Sequence, residues 1–478
     1  MAVVYSVLGA LVILIAVVVV RTLLFRPRET APVKAVPVSL DREKIVRDMV
    51  DMIRCKTVSY RDDALVDRAE FEKFENLLLE RFPHIKAATT FHKIGKTGLL
   101  FHLKGESDSA PTVLMAHYDV VPVNEEGWSR PAFEGLIEDD VLWGRGTLDT
   151  KGSLCGIVEA LEAALSAGYT PQNDLYLSFS GEEEIDGDSC RLIVSFLEQQ
   201  GVSPALVLDE GGAVVDIVFP GVRGACALIG IAEKGTVSMD LTLKSQGGHA
   251  STPPTRTVVG KLCDAITRIE KHPFPRHVTS AVSQMFDTLG RHSTFLYRMI
   301  FANLWLFLPV LDMICKLSGG ELNAMMRTTV ATTRMQGSDA YNVMPPAAKA
   351  GINVRLMEGD TVESAIAYLK RTVKNADIDI TPINDGAPSI CSRTDCDQWQ
   401  QLTDVICQTW ENVLVSPYLM MAASDSRHYC RICDRVYRFS PMHLSKEERA
   451  TIHGNDERVP LDTLLKTVEF YTRLLKRL

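Results

Sequence analysis

Acidic and histidine side chains follow several short apolar segments of the chain. Each segment has the composition of a buried strand, and in open α/β sheets ligands gather where parallel strands reach their carboxyl ends. We therefore expect these side chains to converge on one crevice. They are His117 and Asp119 after residues 113–116, Asp149 after residues 141–143, Glu182, Glu183 and Glu184 after residues 175–179, Asp209 after residues 206–208, and His453 in a downstream polar loop.

The chemistry that these residue types favour is hydrolysis assisted by two metal ions. Two dications repel one another unless an anionic ligand lies between them, and each needs further ligands and an open position for water. Nitrogen and oxygen donors suit zinc. Glu183 could act as a general base on the water, and Asp119 could orient an imidazole by accepting its second N–H. The candidate ligands are His117, Asp149, Glu184, Asp209 and His453.

Each of these residues has a simpler explanation when it is taken alone. A single histidine such as His117 is more often a satisfied core or surface residue. Asp149 or Asp209 after a strand is commonly a turn residue or a helix cap, and a run of glutamates is usually solvated or lies at a helix N-terminus. None of these explanations requires such groups at every strand end, so the joint pattern favours a metal site.

The composition limits the partners and the compartment of the protein. The formal net charge is −9 and the body contains no Lys/Arg-rich run, which argues against nucleic-acid binding. Eleven cysteines without a regular framework favour a reducing compartment. Cys430 and Cys433 form a C-x-x-C pair without the second pair that a structural zinc site needs, so we expect ordinary structural thiols.

Residues 2–25 are predicted to form a transmembrane helix, because about 20 apolar residues span a bilayer. A cleaved signal peptide is the alternative, but the segment has neither a basic start nor a clear small-residue cleavage site. Basic residues follow the span and favour a cytoplasmic body, although the orientation stays open. The proline-rich residues 26–40 are predicted to be a linker.

The remaining chain alternates strands and helices, which predicts an α/β fold with a mainly parallel sheet. We expect this catalytic domain in two parts, residues 41–225 and 386–478. Between them, residues 226–385 follow the order βαββαβ, which predicts an inserted ferredoxin-like domain. Its elements are expected as strands at 236–244, 327–335, 347–357 and 377–383 and as helices at 257–271 and 362–374.

Several segments resemble a known family of dizinc metallopeptidases that includes carboxypeptidase S, aminoacylase and succinyl-diaminopimelate desuccinylase. The shared segments are M-A-H-Y-D-V-V-P-V at 115–123, W-G-R-G-T-L-D-T-K-G at 143–152, G-E-E-E-I-D-G at 181–187, L-D-E-G-G at 208–212 and I-H-G at 452–454. Within the family the strongest resemblance is to carboxypeptidase S and N-fatty-acyl-amino-acid synthase/hydrolase. It rests on E-K-G at 233–235, G-G-H-A-S at 247–251, Y-N-V-M-P-P at 341–346 and S-D-S-R-H-Y at 424–429.

The resemblance implies a zinc ligand set with two ions per subunit. Asp149 would bridge the ions and would be followed by a cis peptide bond, as is typical of the family. His117 and Asp209 would complete one zinc site. Glu184 and His453 would complete the other.

The resemblance also implies the catalytic groups. Glu183 would activate the water and then protonate the leaving amine, while Asp119 supports the metal-bound imidazole. The register among the three glutamates could differ by one, because Glu182 also matches an acidic family position. His249 of one protomer would reach the site of its partner and stabilise the tetrahedral oxyanion, so the inserted domain would form a homodimer.

Two further residues are implied to hold the free carboxylate of the substrate. Arg355 and Asn342 match the family in this role, and arginine suits bidentate carboxylate binding. Arg427 is a second candidate for the same task. A structural ion pair between Arg427 and a neighbouring aspartate is an equal alternative.

Residues 273–323 depart from the compact family members as a long insertion with an apolar stretch at 299–310. Arg298, Asn303, Pro309 and Asp312 argue against a second membrane span. The insertion is predicted to be a packing helix or a dimer face. The alternative is a channel or membrane-apposed mouth for a long acyl chain.

These observations predict a membrane-tethered dizinc amidohydrolase. It would cleave the amide bond of an N-acyl amino acid next to the free carboxylate, and the reverse condensation is open. The alternative enzyme is a carboxypeptidase or dipeptidase that releases C-terminal residues from short peptides. The alternative outside enzymes is an inactive membrane-bound binding protein, against which the complete ligand set argues.

Overall fold

The structure, a computed structural model, describes residues 1–27, 35–216, 218, 221–384 and 386–478. Two of the predicted segments include residues outside this description. Residues 28–34 belong to the predicted linker, and Asp385 is the last residue of the predicted inserted domain.

The strands form one large sheet, one four-stranded sheet and two small sheets. In chain order they are β1 Thr89–Ile94, β2 Gly98–Leu103, β3 Ser107–His117, β4 Leu136–Glu138, β5 Val141–Trp143, β6 Asn173–Ser180, β7 Leu206–Val215, β8 Cys226–Glu233, β9 Gly235–Lys244, β10 Gly248–His249, β11 Thr329–Gln336, β12 Val343–Met344, β13 Ala347–Leu356, β14 Ile378–Pro382, β15 Leu414–Met420, β16 Val436–His443 and β17 Arg458–Pro460.

The α-helices connect and cover these sheets. In chain order they are α1 Ala2–Leu24, α2 Arg42–Ile53, α3 Arg68–Arg81, α4 Pro83–Ala88, α5 Lys151–Ser166, α6 Ser189–Gln199, α7 Val258–Lys271, α8 Ser280–His292, α9 Phe295–Ala302, α10 Leu304–Ser318, α11 Gly320–Met325, α12 Val362–Val373, α13 Asp397–Thr409, α14 Lys446–Arg449 and α15 Leu461–Leu475.

The large sheet has the strand order β1-β2-β6-β3-β7-β16-β8-β15. Its centre, from β6 through β3 and β7 to β16, is parallel, whereas β1 and β2 are antiparallel to their neighbours and β8 is antiparallel to β16. The α/β prediction is confirmed. The sheet is mixed, because antiparallel strands flank the parallel centre that was predicted from the strand–helix alternation.

Both faces of the large sheet are buried, as the continuous apolar composition of its central strands requires. In β3, Leu114 and Ala116 belong to one hydrophobic core, and Val113 and Met115 belong to the core on the opposite face. Helices α5 and α15 pack against each other on the first face. Their approach depends on Gly156, because a Cβ there would lie 2.6 Å from Cγ2 of Thr467.

The four-stranded sheet is antiparallel, with the order β11-β13-β9-β14. Helices α7 and α12 pack beside it, so the elements run βαββαβ along the chain. They enclose a separate hydrophobic core that includes Met239, Leu262, Ile352 and Leu369. The short strands β10 and β12 pair with each other next to this unit.

Residues at the start and in the middle of the predicted inserted domain pack with the large sheet. Strand β8 lies within the large sheet. Helix α8, the first part of the long insertion, packs against β15 and contributes Met285, Phe286 and Leu289 to the core of the large sheet. The insertion therefore leaves the four-stranded unit and covers an edge of the large domain.

Helix α1 is almost entirely exposed along its apolar length. Among the described residues it is the one single helix that is long and apolar enough to cross a membrane, while α9 and α10 pass that test only as a pair bent by 106°. By length and composition α1 is either a membrane anchor or a signal sequence.

Candidate metal centre

The elements of the large domain bring four polar segments to one edge. Strands β6, β3 and β7 are neighbours and parallel, so their carboxyl ends meet. His117 ends β3, Glu183 and Glu184 follow β6, and Glu210 lies in β7. Strand β17 pairs with β5, which brings the loop that contains His453 beside the loop that contains Asp149.

The carboxylate of Asp149 lies between two imidazoles. Its Oδ1 is 2.9 Å from Nε2 of His117, and its Oδ2 is 3.0 Å from Nε2 of His453. Nε2 of His453 is also 2.9 Å from Oε2 of Glu184. Each oxygen of one carboxylate thus faces a different histidine, which is the arrangement that a bridge between two cations requires. The peptide bond after Asp149 is cis.

Glu210, which the sequence analysis did not select, lies in this cluster. Its Oε1 is 3.4 Å from Nε2 of His117, and Glu183 and Glu210 offer ligand atoms beside this histidine. Asp209, which was selected, accepts a hydrogen bond at 3.0 Å from the backbone N–H of Ser426. Adjacent strand residues point to opposite faces, and the sequence alone does not show which face of β7 opens toward the other ligands.

The three consecutive glutamates have different surroundings. Oε2 of Glu182 accepts hydrogen bonds from the backbone N–H groups of Asp188 and Ser189 at 3.2 Å, at the start of α6. Glu183 and Glu184 instead offer ligand atoms to the cluster. The structure therefore separates one structural glutamate from two that face the other candidate ligands.

Asp119 supports both the imidazole and the glutamate loop. Nδ1 of His117 is 3.0 Å from the backbone oxygen of Asp119 and 3.4 Å from its Oδ1. The two carboxylate oxygens also accept hydrogen bonds at 3.2 Å from the backbone N–H groups of Glu183 and Glu184. Because Asp119 is fully buried, these bonds are shielded from water and fix the loop relative to the histidine.

The electrostatics of the cluster favour bound cations. Burial raises the pKa of Glu183 well above its usual range and raises the pKa of Glu210 to about 8. Hydrogen bonds to two carboxylates raise the pKa of His453 to about 10. Burial opposes ionisation of Asp149, but contacts with two imidazoles outweigh it and lower its pKa. So many buried carboxylates need compensating positive charge, and this set of nitrogen and oxygen donors fits two dications such as zinc.

The remaining candidates lie elsewhere. His249 is exposed in β10, with its Nδ1 2.7 Å from Oγ of Ser251. The backbone oxygen of Asn342 accepts a hydrogen bond at 3.0 Å from Ala250, beside this histidine. Neither residue has a hydrogen bond or ion pair to the cluster within the described part of the chain. The structure therefore places His249 and Asn342 together beside the antiparallel unit.

The two arginine candidates belong to different units, Arg355 to the antiparallel unit and Arg427 to the large domain. Arg355 in β13 donates hydrogen bonds to Oγ1 of Thr236 at 2.7 Å and to Oδ1 of Asn353 at 3.0 Å. Arg427 forms an ion pair with Asp186, two residues after the glutamate run. Proximity to Arg427 contributes, after burial, to a lowered pKa of Arg355, so the two guanidinium groups interact.

A cluster of the buried His117, the partly exposed His453 and several carboxylates at the edge of an α/β sheet is typical of a metal-dependent hydrolase. The comparisons with known proteins agree with this class. A family model described as Peptidase family M20/M25/M40 matches residues 113–477. The chain belongs to this family, and its members are metal-dependent.

Relatives of similar length cover most of the chain. The chain is 35% identical over 442 residues to N-fatty-acyl-amino acid synthase/hydrolase PM20D1 of Xenopus tropicalis. The aligned region covers 91% of this chain and 86% of the relative. It is 33% identical over 429 residues to probable carboxypeptidase S-like 2 of Dictyostelium discoideum, and the aligned region covers 88% of this chain and 82% of that relative.

Solved structures share the fold at low sequence identity. The M20 family metallo-carboxypeptidase Sso-CP2 from Sulfolobus solfataricus is 16% identical, with a TM-score of 0.66 over 90% of this chain and 98% of that chain. The YXEP protein of Bacillus subtilis, described as a dinuclear metal binding peptidase, is 10% identical, with a TM-score of 0.55 over 91% and 98%.

Proposed function

We propose that the protein is a dizinc amidohydrolase that cleaves the amide bond of N-acyl amino acids. The observation that carries this proposal is the Asp149 carboxylate, whose two oxygens face the imidazoles of His117 and His453. The relatives named as N-fatty-acyl-amino acid synthase/hydrolases support the substrate class. The condensation direction is part of the proposal, because the same groups serve both directions.

The geometry adds one candidate, Glu210, to the predicted ligand set. Asp149 would bridge the two zinc ions, with Glu184 and His453 on one side and His117 on the other. Beside His117, Glu210 has its carboxylate within 3.4 Å of the imidazole, whereas the predicted Asp209 is engaged by a backbone N–H. We therefore propose Glu210 as a second candidate for the fifth ligand beside Asp209, because a hydrogen bond to one oxygen of Asp209 does not prevent this carboxylate from binding metal.

Glu183 would move the proton during hydrolysis. Zinc, when bound, would supply Lewis acidity and would lower the pKa of the attacking water. The carboxylate of Glu183 lies beside Glu210 and His117, within reach of that position. It would accept a proton from the water and then deliver this proton to the leaving nitrogen. Burial raises the pKa of Glu183, which suits a group that must hold the proton between the two steps.

The free carboxylate of the substrate would bind on the antiparallel unit. Hydrogen bonds to Thr236 and Asn353 hold the guanidinium of Arg355, and Asn342 lies beside the His249 loop. Arg427 already pairs with Asp186, which supports a structural role for this arginine. The strand order β11-β13-β9-β14 with two helices supports a ferredoxin-like dimerisation unit within residues 226–385. His249 of the partner subunit would then stabilise the oxyanion.

The second candidate function is a carboxypeptidase or dipeptidase, favoured by the similarity to the carboxypeptidase S-like relative. A dipeptide carries a free amino group next to the scissile bond, so it needs an acidic partner that an N-acyl substrate does not need. Helix α1 is proposed as the membrane anchor in both cases, with residues 26–40 as the linker and the catalytic domain in residues 41–225 and 386–478.

A substrate panel with matched variants tests the proposal. The purified full chain is offered N-acyl amino acids of graded acyl length and dipeptides of the same C-terminal residues, and bound metal is counted. We expect about two zinc ions per chain, fastest turnover of N-acyl amino acids, and a loss of about 10²-fold or more in Glu183→Gln without loss of metal.

Glu182→Gln is the control, since this neighbouring glutamate contacts the start of α6 and should keep most activity. Faster turnover of dipeptides would support the peptidase alternative. A chain that binds no metal and turns over neither class would be the binding protein, and the proposal would be wrong.

A further inference from the structure

The C-terminal end of α1 is fixed to the corner between α9 and α10. The guanidinium of Arg21 donates to the backbone oxygen of Ala302, the last residue of α9, at 3.1 and 3.2 Å. Nδ2 of Asn303, at the bend, donates to the backbone oxygen of Val18 at 3.2 Å and to Oγ1 of Thr22 at 3.3 Å. Asn303 and Thr22 are fully buried, so these polar contacts are shielded from water.

Aromatic contacts strengthen the same junction. The Arg291 guanidinium lies 4.4 Å from the ring centre of Phe25 and donates to the backbone oxygen of Arg26 at 3.1 Å. Gly290 leaves room for this approach, since a Cβ there would meet the rings of Phe301 and Phe25 at 2.8 and 3.0 Å. Helices α8, α9 and α1 therefore form one packed junction.

The position of the junction along α1 sets the depth of the α9–α10 corner in a bilayer. A helix rises 1.5 Å per residue, so the 23 residues of α1 extend about 35 Å, whereas the hydrocarbon layer is about 30 Å thick. Val18 lies six residues before Leu24, or about 9 Å before the helix end. A bilayer that accommodates α1 must therefore reach the level at which Asn303 contacts Val18.

Helix α10 begins at this level, directly after Asn303, and carries exposed apolar side chains along its length. One stripe on α10 follows the spacing i, i+3, i+4 and i+7 and consists of Val310, Met313, Ile314 and Leu317. The exposed fractions of these side chains range from 51% at Val310 to 83% at Leu317. Trp305 is also exposed, and tryptophan is enriched at membrane interfaces. Phe295 and Leu296 of α9 are exposed as well, and together with Trp305 and the stripe of Val310, Met313, Ile314 and Leu317 they form the apolar surface of the corner.

The buried side of α10 is joined to the body through Asp312. Asp312 is buried and forms ion pairs with Arg327 and with Lys316, the latter at 3.0 Å. The ion pair with Arg327, which lies outside α10, holds the Asp312 side of the helix toward the body. The bend of 106° prevents α9 and α10 from forming one straight span. An apolar surface of this size, continuous with an apolar anchor helix, is the kind that binds a lipid surface.

We infer that the α9–α10 corner is a second membrane-binding element, which lies in the bilayer interface beside α1 without crossing the membrane. The corner would hold the large domain against the lipid surface at a fixed height. This inference rests on the proposed insertion of α1 in the bilayer and is independent of the proposed reaction.

Fluorescence quenching in vesicles tests the inference on the full chain. The protein is reconstituted in phosphatidylcholine vesicles with and without brominated acyl chains, and the Trp305 contribution is taken as the difference between the wild type and Trp305→Phe. The other four tryptophans lie outside α1 and α8–α11. We expect brominated lipid to remove most of the Trp305 contribution.

Two tryptophan insertions in the Trp305→Phe background serve as controls. Tyr5→Trp reports whether α1 is in the bilayer, and Ile383→Trp places an indole at an exposed site on the antiparallel unit that should not be quenched. Quenching at position 5 without quenching of Trp305 would overturn the inference while the anchor stands. The absence of quenching at both positions would overturn the anchor and the inference together.

A second copy of the chain is the other possible occupant of the surface. Leu317→Cys tests this with a short bismaleimide, and the wild type, whose Cys263 is exposed, serves as the background. We expect no cross-linked dimer through position 317 in vesicles. A cross-link of equal yield in vesicles and in detergent would assign the surface to a protein interface and overturn the membrane assignment.

Discussion

Arg145 and Glu457 form a buried ion pair, 2.6 Å from Nη1 to Oε2, that joins the loop of Asp149 to the loop of His453. Glu457 also accepts hydrogen bonds from the backbone N–H groups of Gly146 at 3.1 Å and Leu148 at 2.8 Å. The second nitrogen of the guanidinium donates to the backbone oxygen of Gly454 at 2.7 Å. Two proposed ligands that are about 300 residues apart thus depend on one pair of charges.

We expect Glu457→Ala to destabilise the protein and weaken metal binding together. Removal of one partner of a buried ion pair leaves the other charge unpaired and costs about 3–5 kcal/mol. Urea unfolding measures the loss of stability, and competition with a zinc chelator measures the affinity. Glu138→Ala is the control, because Glu138 forms an exposed pair with Arg130 that contributes about 1 kcal/mol or less. Equal effects of the two substitutions would contradict this account of the loop pair.

Asp119→Asn should lower zinc affinity and should also lower the unfolding free energy of the metal-free protein by about 1–3 kcal/mol. The amide keeps one acceptor oxygen but turns an N–H group toward a backbone N–H of Glu183 or Glu184, which both donate to the native carboxylate. Loss of such a supporting group typically costs about 10–100-fold in metal affinity. The chelator competition assay measures it, and Asp188→Asn is the surface control. Unchanged affinity in Asp119→Asn would show that the loop does not need this anchor.

The sequence was sufficient to predict which segments meet, and the reason is the geometry of the sheet. His117 ends β3 and Glu184 follows β6, and these parallel strands share a carboxyl edge, so the convergence of these two residues follows from the fold class. Asp149 follows β5, which belongs to a separate antiparallel sheet, so the expectation that it lies at the carboxyl end of a parallel strand was wrong. The choice between Asp209 and Glu210 was beyond that reasoning, because neighbouring strand residues alternate between faces. Glu210 becomes a candidate only in three dimensions, through the distance of 3.4 Å between its Oε1 and Nε2 of His117.

Long-range packing of the insertion was also beyond the sequence. Residues 273–323 follow α7 of the antiparallel unit, yet α8 packs on β15 of the large sheet. Hydrophobic periodicity shows that a helix has a buried face, but it does not show which partner covers that face. The same limit applies to Arg145 and Glu457, since no pattern in the sequence indicates which two distant buried charges pair.

Arg355→Lys should weaken binding of substrates that carry a free carboxylate. Lysine keeps the charge but loses the planar pair of donors, and the contacts with Thr236 and Asn353 that orient the guanidinium would be lost. We expect KM to rise by about tenfold for N-acyl amino acids and to change little for the matching C-terminal amides. Arg427→Lys is the comparison, because the ion pair with Asp186 should leave KM nearly unchanged. A larger KM effect in Arg427→Lys would reverse the two assignments.

Metal removal should make the stability of the protein strongly dependent on pH. In the metal-free cluster, burial raises the pKa of Glu210 to about 8, above the ordinary value of 4.5 that applies to the unfolded chain. Between pH 4.5 and about pH 8, Glu210 is protonated in the folded state and ionised in the unfolded state. The stability that the protonated Glu210 gives to the folded state is therefore complete below about pH 4.5 and is lost as the pH rises through about 8. Chelator-treated protein should therefore unfold at lower urea concentration at pH 8 than at pH 6, and added zinc should restore stability most at pH 8. Glu210→Gln, which cannot ionise at this position, should reduce the difference between the two pH values, and an unchanged difference would contradict the placement of Glu210 in the cluster.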